Sequence, residues 1–185
     1  MRIISGLHKG RRITAPKKLP VRPTTDMAKE ALFNILNNRY YFDDITVLDL
    51  FAGTGNISYE FASRGTQLIQ AIDDDFGCVK FIESTSQAFG FGVSAIKNDV
   101  FTYLEKSKNQ ADIIFADPPY DMPLEDFERI SKLVFENNLL LENGLLVIEH
   151  ISHMDLSHHT NFTEYRKYGG STFSFFQNQE APTEN

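Results

Sequence analysis

With 185 residues, 42% of them hydrophobic and 23% charged, the chain has enough apolar material for one packed domain and is too apolar for disorder. Its formal net charge of −7 makes the molecule as a whole repel nucleic acid and anionic membranes. The single cysteine, Cys78, excludes a disulfide framework and a multi-cysteine zinc site, no apolar run approaches the ~20 residues of a membrane span, and the start Met1-Arg2-Ile3-Ile4-Ser5-Gly6 turns polar before a signal-peptide core could form.

The net charge hides a division. Residues 1–39 carry nine Lys/Arg against Asp26 and Glu30, a net of +7, while the remainder nets −14, so a basic arm joins an acidic body. At its start, Arg2–Ser5 and Arg11–Thr14 are short alternating runs separated by Leu7-His8-Lys9-Gly10, which predicts a β-hairpin with Gly10 supplying the tight turn. Pro16, Pro20 and Pro23 interrupt the next stretch and set a boundary there. Ala28, Ala31, Leu32, Ile35 and Leu36 then recur at helical spacing behind a cap at Thr25 or Asp26.

From Ile45, strand-like runs over Ile45–Phe51, Leu68–Asp73, Val93–Lys97, Ala111–Ala116 and Gly144–His150 alternate with helical stretches over Asn56–Ser63, Asp75–Phe89, Val100–Glu105 and Leu124–Asn138. This alternation predicts an α/β fold with a doubly wound, mostly parallel sheet. Asn161–Tyr168 and Ser171–Gln177, joined at Gly169-Gly170, form an antiparallel hairpin closing one edge. The expected organisation is a basic hairpin and linker over 1–24, a main domain over 25–177 and a polar tail over 178–185.

Three motifs fall at strand ends, where ligands bind in such sheets. Asp49-Leu50-Phe51-Ala52-Gly53-Thr54-Gly55 offers glycines that let a ligand approach the backbone at a helix N-terminus. Ser58 stands where a dinucleotide loop has its third glycine, and the Asp49 carboxylate suits a cationic group better than a pyrophosphate. Asp73 ends the second strand 20 residues beyond Gly53, the position from which an acid reaches ribose hydroxyls. Asp75 in the same run caps the next helix or shares that role. Asp99 either meets a base edge or caps the helix that follows it.

Asp117-Pro118-Pro119-Tyr120 follows a buried strand as a rigid, extended exit. An exocyclic amino nitrogen is a poor nucleophile because its lone pair is delocalised. The Asp117 carboxylate and Pro118 carbonyl supply two acceptors for its N–H bonds, and Tyr120 a surface on which a flipped base stacks. Such a site suits methyl transfer to nitrogen.

The pair of motifs Asp49–Gly55 and Asp117–Tyr120 resembles the class I S-adenosylmethionine-dependent amino-methyltransferases. The opening Arg2-Ile3-Ile4-Ser5-Gly6 with Lys9-Gly10-Arg11, and Arg22-Pro23-Thr24-Thr25-Asp26 with Glu30-Ala31-Leu32-Phe33-Asn34-Ile35-Leu36, is similar to the bacterial 16S ribosomal RNA guanine-N2 methyltransferases. The likeness extends through Gly169. It implies a seven-stranded Rossmann-like methyltransferase sheet, S-adenosylmethionine as cofactor, and 16S rRNA, within the assembled small subunit, as partner. It also implies that Asp49, Phe51, Ala52, Gly53, Thr54, Gly55, Asp73 and Asp99 form the cofactor set, with Asp117, Pro118, Pro119 and Tyr120 at the guanine amino group.

In that setting the basic arm contacts phosphates through Arg2, Lys9, Arg11, Arg12 and Arg22. His150, His153, His158 and His159 match no standard metal spacing, so no metal is expected. A cytoplasmic monomer without membrane contact completes the reading. Two others compete with it: transfer to adenine N6 or a protein glutamine, against which Asp rather than Asn at position 117 speaks, and a catalytically silent ribosome-assembly factor, which would not need Asp117–Tyr120.

Overall fold

The computed structural model describes residues 1–19 and 24–179. In chain order these form α1 (Asp26–Asn37), β1 (Thr46–Leu50), α2 (Asn56–Ser63), β2 (Leu68–Asp73), α3 (Phe76–Phe89), β3 (Val93–Lys97), α4 (Val100–Lys106), β4 (Ala111–Ala116), α5 (Leu124–Glu136), β5 (Leu140–Ile151), β6 (Phe162–Tyr168) and β7 (Ser171–Phe176). One sheet takes the order β3-β2-β1-β4-β5-β7-β6. It is parallel from β3 to β5 and antiparallel at β7 and β6, the seven-stranded Rossmann-like methyltransferase arrangement.

Period-two alternation along the strands divides the core between the two faces. Leu48, Leu50, Ile72 and Ile114 pack with α4 and α5 through Leu104, Phe127, Ile130 and Val134. On the other face Val47, Ile69, Ile113 and Val147 pack with α1 and α2 through Leu32, Phe33, Ile57 and Phe61. The sheet grows from β1 through β2 to β3 on one side and through β4 to β5 on the other. The crevice between the carboxyl ends of β1 and β4 is therefore the switch point where ligands bind.

β5 starts at Leu140, earlier than Gly144. Leu140 pairs with Ala111 and Leu145 with Ile113, so the ladder continues across a bulge in which Asn143 takes a φ of 63°. Glu142-Asn143-Gly144 has turn composition, and here the turn is absorbed into the strand. α5 stops at Glu136, short of Asn138, which takes a φ of 51°.

The amino-terminal hairpin is docked on the body. Ile3 N donates to Arg11 O at 2.9 Å and Ile13 N to Met1 O at 3.0 Å, placing buried Ile3 and Ile13 against Tyr59, Ala71 and Ile82. Gly10 has a φ of +82° in the turn, as expected, and Gly6 one of +83°. A Cβ on Gly6 would lie 1.8 Å from Ser63 O, so only glycine allows the hairpin to approach α2 this closely.

Candidate active site

At the switch point lies a cleft of about 350 Å³, lined from β1 by Asp49, Phe51, Ala52, Gly53 and Thr54, from β2 by Asp73, Asp74 and Asp75, and from β4 by Asp117, Pro118, Pro119 and Tyr120. The volume is that of a small-ligand site. The loop after β1 is tightly wound: Phe51 adopts a φ of 56° and Gly53 one of 54°. A left-handed phenylalanine is strained, and its surroundings hold it there. Ala52 N donates to Ile72 O at 3.0 Å and Gly53 N to Asp73 Oδ2 at 2.7 Å.

Asp73 is thereby set between the two loops, accepting from Asp75 N at 2.9 Å on its other oxygen. Burial raises its pKa, and these two backbone donors oppose the rise. Asp75 accepts from Cys78 N at 2.8 Å, capping α3, while also lining the cleft. Asp49 is buried, and its Oδ2 accepts from Ser58 N at 3.1 Å and Ser58 Oγ at 2.6 Å. Burial pushes the Asp49 carboxyl up to about 7 against those hydrogen bonds, so a cationic ligand would hold it ionised.

Two residues of the expected cofactor set stand outside the cleft lining. Gly55 caps the start of α2 with a φ of +79°, and a Cβ there would meet the Tyr59 ring at 2.7 Å, so the missing side chain leaves room for that ring. Asp99 accepts from Thr102 N at 2.8 Å as the cap of α4. An acid at a helix start serves either purpose, and the cap is the contact formed. Cys78, by contrast, combines core burial with a place in the cleft wall. Desolvation and the neighbouring Asp73 and Asp75 push its thiol up to about 12, too high for a nucleophile.

Sequence reasoning missed a polar network behind the acceptor side. Thr24 Oγ1 lies 3.5 Å from Asp117 Oδ2 and 3.2 Å from Glu149 Oε2, and Glu149 is wholly buried on β5. Asn56 Nδ2 donates to Thr24 O at 3.3 Å, and Lys29 Nζ donates to Asn56 Oδ1 at 2.8 Å and Arg2 O at 2.6 Å. Lys29 also pairs with Glu60 at 3.4 Å, both fully buried. The Glu60 carboxylate in turn accepts from Ile4 N, Ser5 N and Arg64 Nε. One chain of contacts thus joins the hairpin, α1 and α2 to the Asp117 end of the cleft. Its only sequence signal was two acidic or basic residues, Lys29 and Glu60, at otherwise inward helical positions.

Arg2, Lys9, Arg11 and Arg12 are exposed on the hairpin, with Arg2 Nε 3.0 Å from Asp26 and Arg11 lying 5.8 Å from the Phe89 ring centre. Arg22 lies outside the described residues. Thr54 Oγ1 sits 4.0 Å from Met1 Sδ, which places the hairpin beside the cleft mouth. No helix among the described residues is long and apolar enough to cross a membrane.

Acids from β1 and β2 meeting the Asp117 loop at this switch point is the arrangement of class I S-adenosylmethionine-dependent methyltransferases, and the chain is one of them. It belongs to the family described as Conserved hypothetical protein 95, matched over residues 1–177, whose relatives include bacterial small-subunit ribosomal RNA methyltransferases, as the motifs led us to expect. A Bacillus subtilis protein provisionally named rRNA methyltransferase YlbH is 35% identical over 161 residues, 84% of this chain and 85% of its own. The ribosomal RNA small subunit methyltransferase D of Haemophilus influenzae is 31% identical over 154 residues, 80% of this chain and 78% of that protein. Among solved structures, an Escherichia coli protein provisionally described as the methyltransferase yhhF superposes with a TM-score of 0.84 at 26% identity, covering 97% of this chain and 98% of that one. The residues fit the cofactor: a sulfonium, an ammonium and a ribose diol meet a cleft walled by Asp49, Asp73, Asp74 and Asp75.

Proposed function

We propose that this protein methylates the exocyclic N2 of one guanine in 16S rRNA, acting as a monomer on the assembled small subunit. The observation that carries the reading is the opening of the Asp117–Tyr120 loop into the same cleft as Asp49 and Asp73. S-adenosylmethionine supplies an electrophilic methyl group on sulfur. When it is bound, Asp49 would face its positive charge and Asp73 its ribose, with Phe51, Ala52, Gly53 and Thr54 lining that wall of the cleft. On the acceptor side the Asp117 carboxylate and the Pro118 carbonyl accept the two N–H bonds of the guanine amino group and turn its lone pair toward the methyl carbon. Pro119 holds that turn rigid, and Tyr120 stacks on the base. In an in-line transfer the C–S bond would break with its electron pair on sulfur as the N–C bond forms, and Asp117 would stabilise the charge growing on nitrogen until a proton is lost to water. Placing two reactants in line accounts for much of the rate, about 7–11 kcal/mol in favourable cases.

Arg2, Lys9, Arg11 and Arg12 hold the RNA phosphates at the cleft mouth, with Arg22 a further phosphate ligand by sequence, offsetting the acidic body. The test is methyl transfer from labelled S-adenosylmethionine to small subunits, naked 16S rRNA and genomic DNA prepared without the endogenous enzyme, followed by digestion. N2-methylguanosine from subunits is the expected product. Label in DNA adenine, or in none of the three, would overturn the reading. Asp117→Ala should lower the transfer rate about 10²–10³-fold while calorimetry finds cofactor binding nearly unchanged.

A further inference from the structure

Outside the cleft, one cluster among the described residues has metal-ligand geometry. Glu128 on α5 faces His158 and His159 on the connection between β5 and β6. Their ligand atoms all lie within 4.8 Å of one another. His158 Nε2 is 2.8 Å from Glu128 Oε1, and His159 Nε2 is 3.9 Å from the same oxygen. We propose that Glu128, His158 and His159 bind a divalent transition-metal ion, Zn²⁺ by its chemistry, that clasps the β5–β6 connection to α5.

Two imidazoles and one carboxylate are a ligand set that suits Zn²⁺, with water in the fourth tetrahedral position. Metal–ligand bonds of about 2.0–2.2 Å hold tetrahedral ligands roughly 3.3 Å apart, so closing the site requires side-chain movements of about 1.5 Å or less. A simple hydrogen bond accounts for His158 and Glu128 but leaves His159 unexplained. Its Nε2 is buried, has no hydrogen-bond partner among the described residues, and points to a carboxylate oxygen too distant for one. A cation between them satisfies both.

The location gives the ion a structural task. β5 runs parallel to β4, so the connection leaves Ile151 at the same sheet edge as Asp117, and α5 starts from that edge at Leu124. Met154 and Leu156 already anchor the first half of the connection in the core. The metal would fix its second half. None of the three ligands lines the cleft, so the site is separate from the methyl-transfer machinery and does not rest on the function proposed above.

The untagged full chain, stripped with a chelator, should take up one equivalent of Zn²⁺ in competition with a chromophoric chelator and show the intense visible band of tetrahedral Co²⁺. His159→Ala and Glu128→Gln should each weaken Zn²⁺ binding at least tenfold, with His153→Ala unchanged. Metal should also raise the thermal midpoint of the parent chain and not of His159→Ala. Absence of stoichiometric binding, or affinity equal in His159→Ala and the parent, would overturn the proposal; the latter would show an ion held by scattered surface histidines.

Discussion

Asp49 is a buried and Asp73 a half-buried carboxyl, both at strand ends, and their surroundings give them different tasks. Asp73 is held by two backbone donors from opposite loops, so its position is set before any ligand arrives. Losing a charge-assisted bond of about 1.5–3 kcal/mol, Asp73→Ala should weaken S-adenosylmethionine binding roughly ten- to hundredfold by calorimetry; unchanged affinity would move the ribose contact to Asp75. Asp49 has Ser58 on one oxygen and a carboxyl raised to about 7. Binding a cation requires the ionised form, so affinity should fall as pH drops below about 7, by up to tenfold per unit. In the absence of cofactor the linkage has the opposite sense. The folded pKa exceeds the unfolded one near 4, so the folded state binds more protons between those values and stability declines as pH rises through the window. Asp49→Asn should remove both trends, raising the thermal midpoint of the cofactor-free protein above pH 7 while weakening cofactor binding. The acids at positions 49 and 73 were legible because strand ends and the interval of 20 residues are sequence properties. The choice between cap and ligand at Asp99 was not, since both uses demand the same residue at the same place.

Among the elements, the hairpin departs furthest from its expected independence. Composition divides it from the body by charge and by three prolines, whereas in the fold Ile3 and Ile13 enter a core cluster and Leu7 N donates to Ser63 O at 2.7 Å. Gly6 controls that contact and Gly10 only the turn. Gly10→Ala should cost about 1–2 kcal/mol from its positive φ, with open space around the new methyl group. Gly6→Ala adds a collision with the α2 backbone and should undock the hairpin, lowering the urea midpoint further and speeding tryptic cleavage at Lys9, Arg11 and Arg12. Equal effects of the two substitutions would mean that the hairpin is not held through Gly6. The buried Lys29–Glu60 pair beneath it is costly to break from the Glu60 side: Arg64 at 2.9 Å still pairs with Glu60 when Lys29 is lost, whereas losing Glu60 leaves the Lys29 ammonium buried against the neutral acceptors Arg2 O and Asn56 Oδ1 alone. Glu60→Ala should cost about 3–5 kcal/mol in chemical denaturation. No sequence pattern announces this pair: its members lie on different helices, and only packing α1 beside α2 brings them to 3.4 Å.

At the scale of the whole molecule, residues 1–39 net +7 and the remainder −14, and under the proposed function the exposed hairpin cations Arg2, Lys9, Arg11 and Arg12 would direct RNA to the acidic site. If four to six phosphates are neutralised there, log affinity for the RNA substrate should fall with log salt at a slope of about −3 to −5. A slope near zero in filter binding would remove the arm from substrate contact. The sequence by itself determined the order of helices and strands, the doubly wound class and the motifs at the ends of β1, β2 and β4, because hydrophobic period and glycine or proline chemistry are local properties of the chain. Only the tertiary structure decided that Thr24 reaches Asp117 and Glu149, that Gly55 makes room for the Tyr59 ring, that the β5 turn residues become a bulge, and that Glu128 meets His158 and His159. Each of these depends on distances between segments far apart in sequence, and those distances exist only once the sheet and its covering helices have closed around one another.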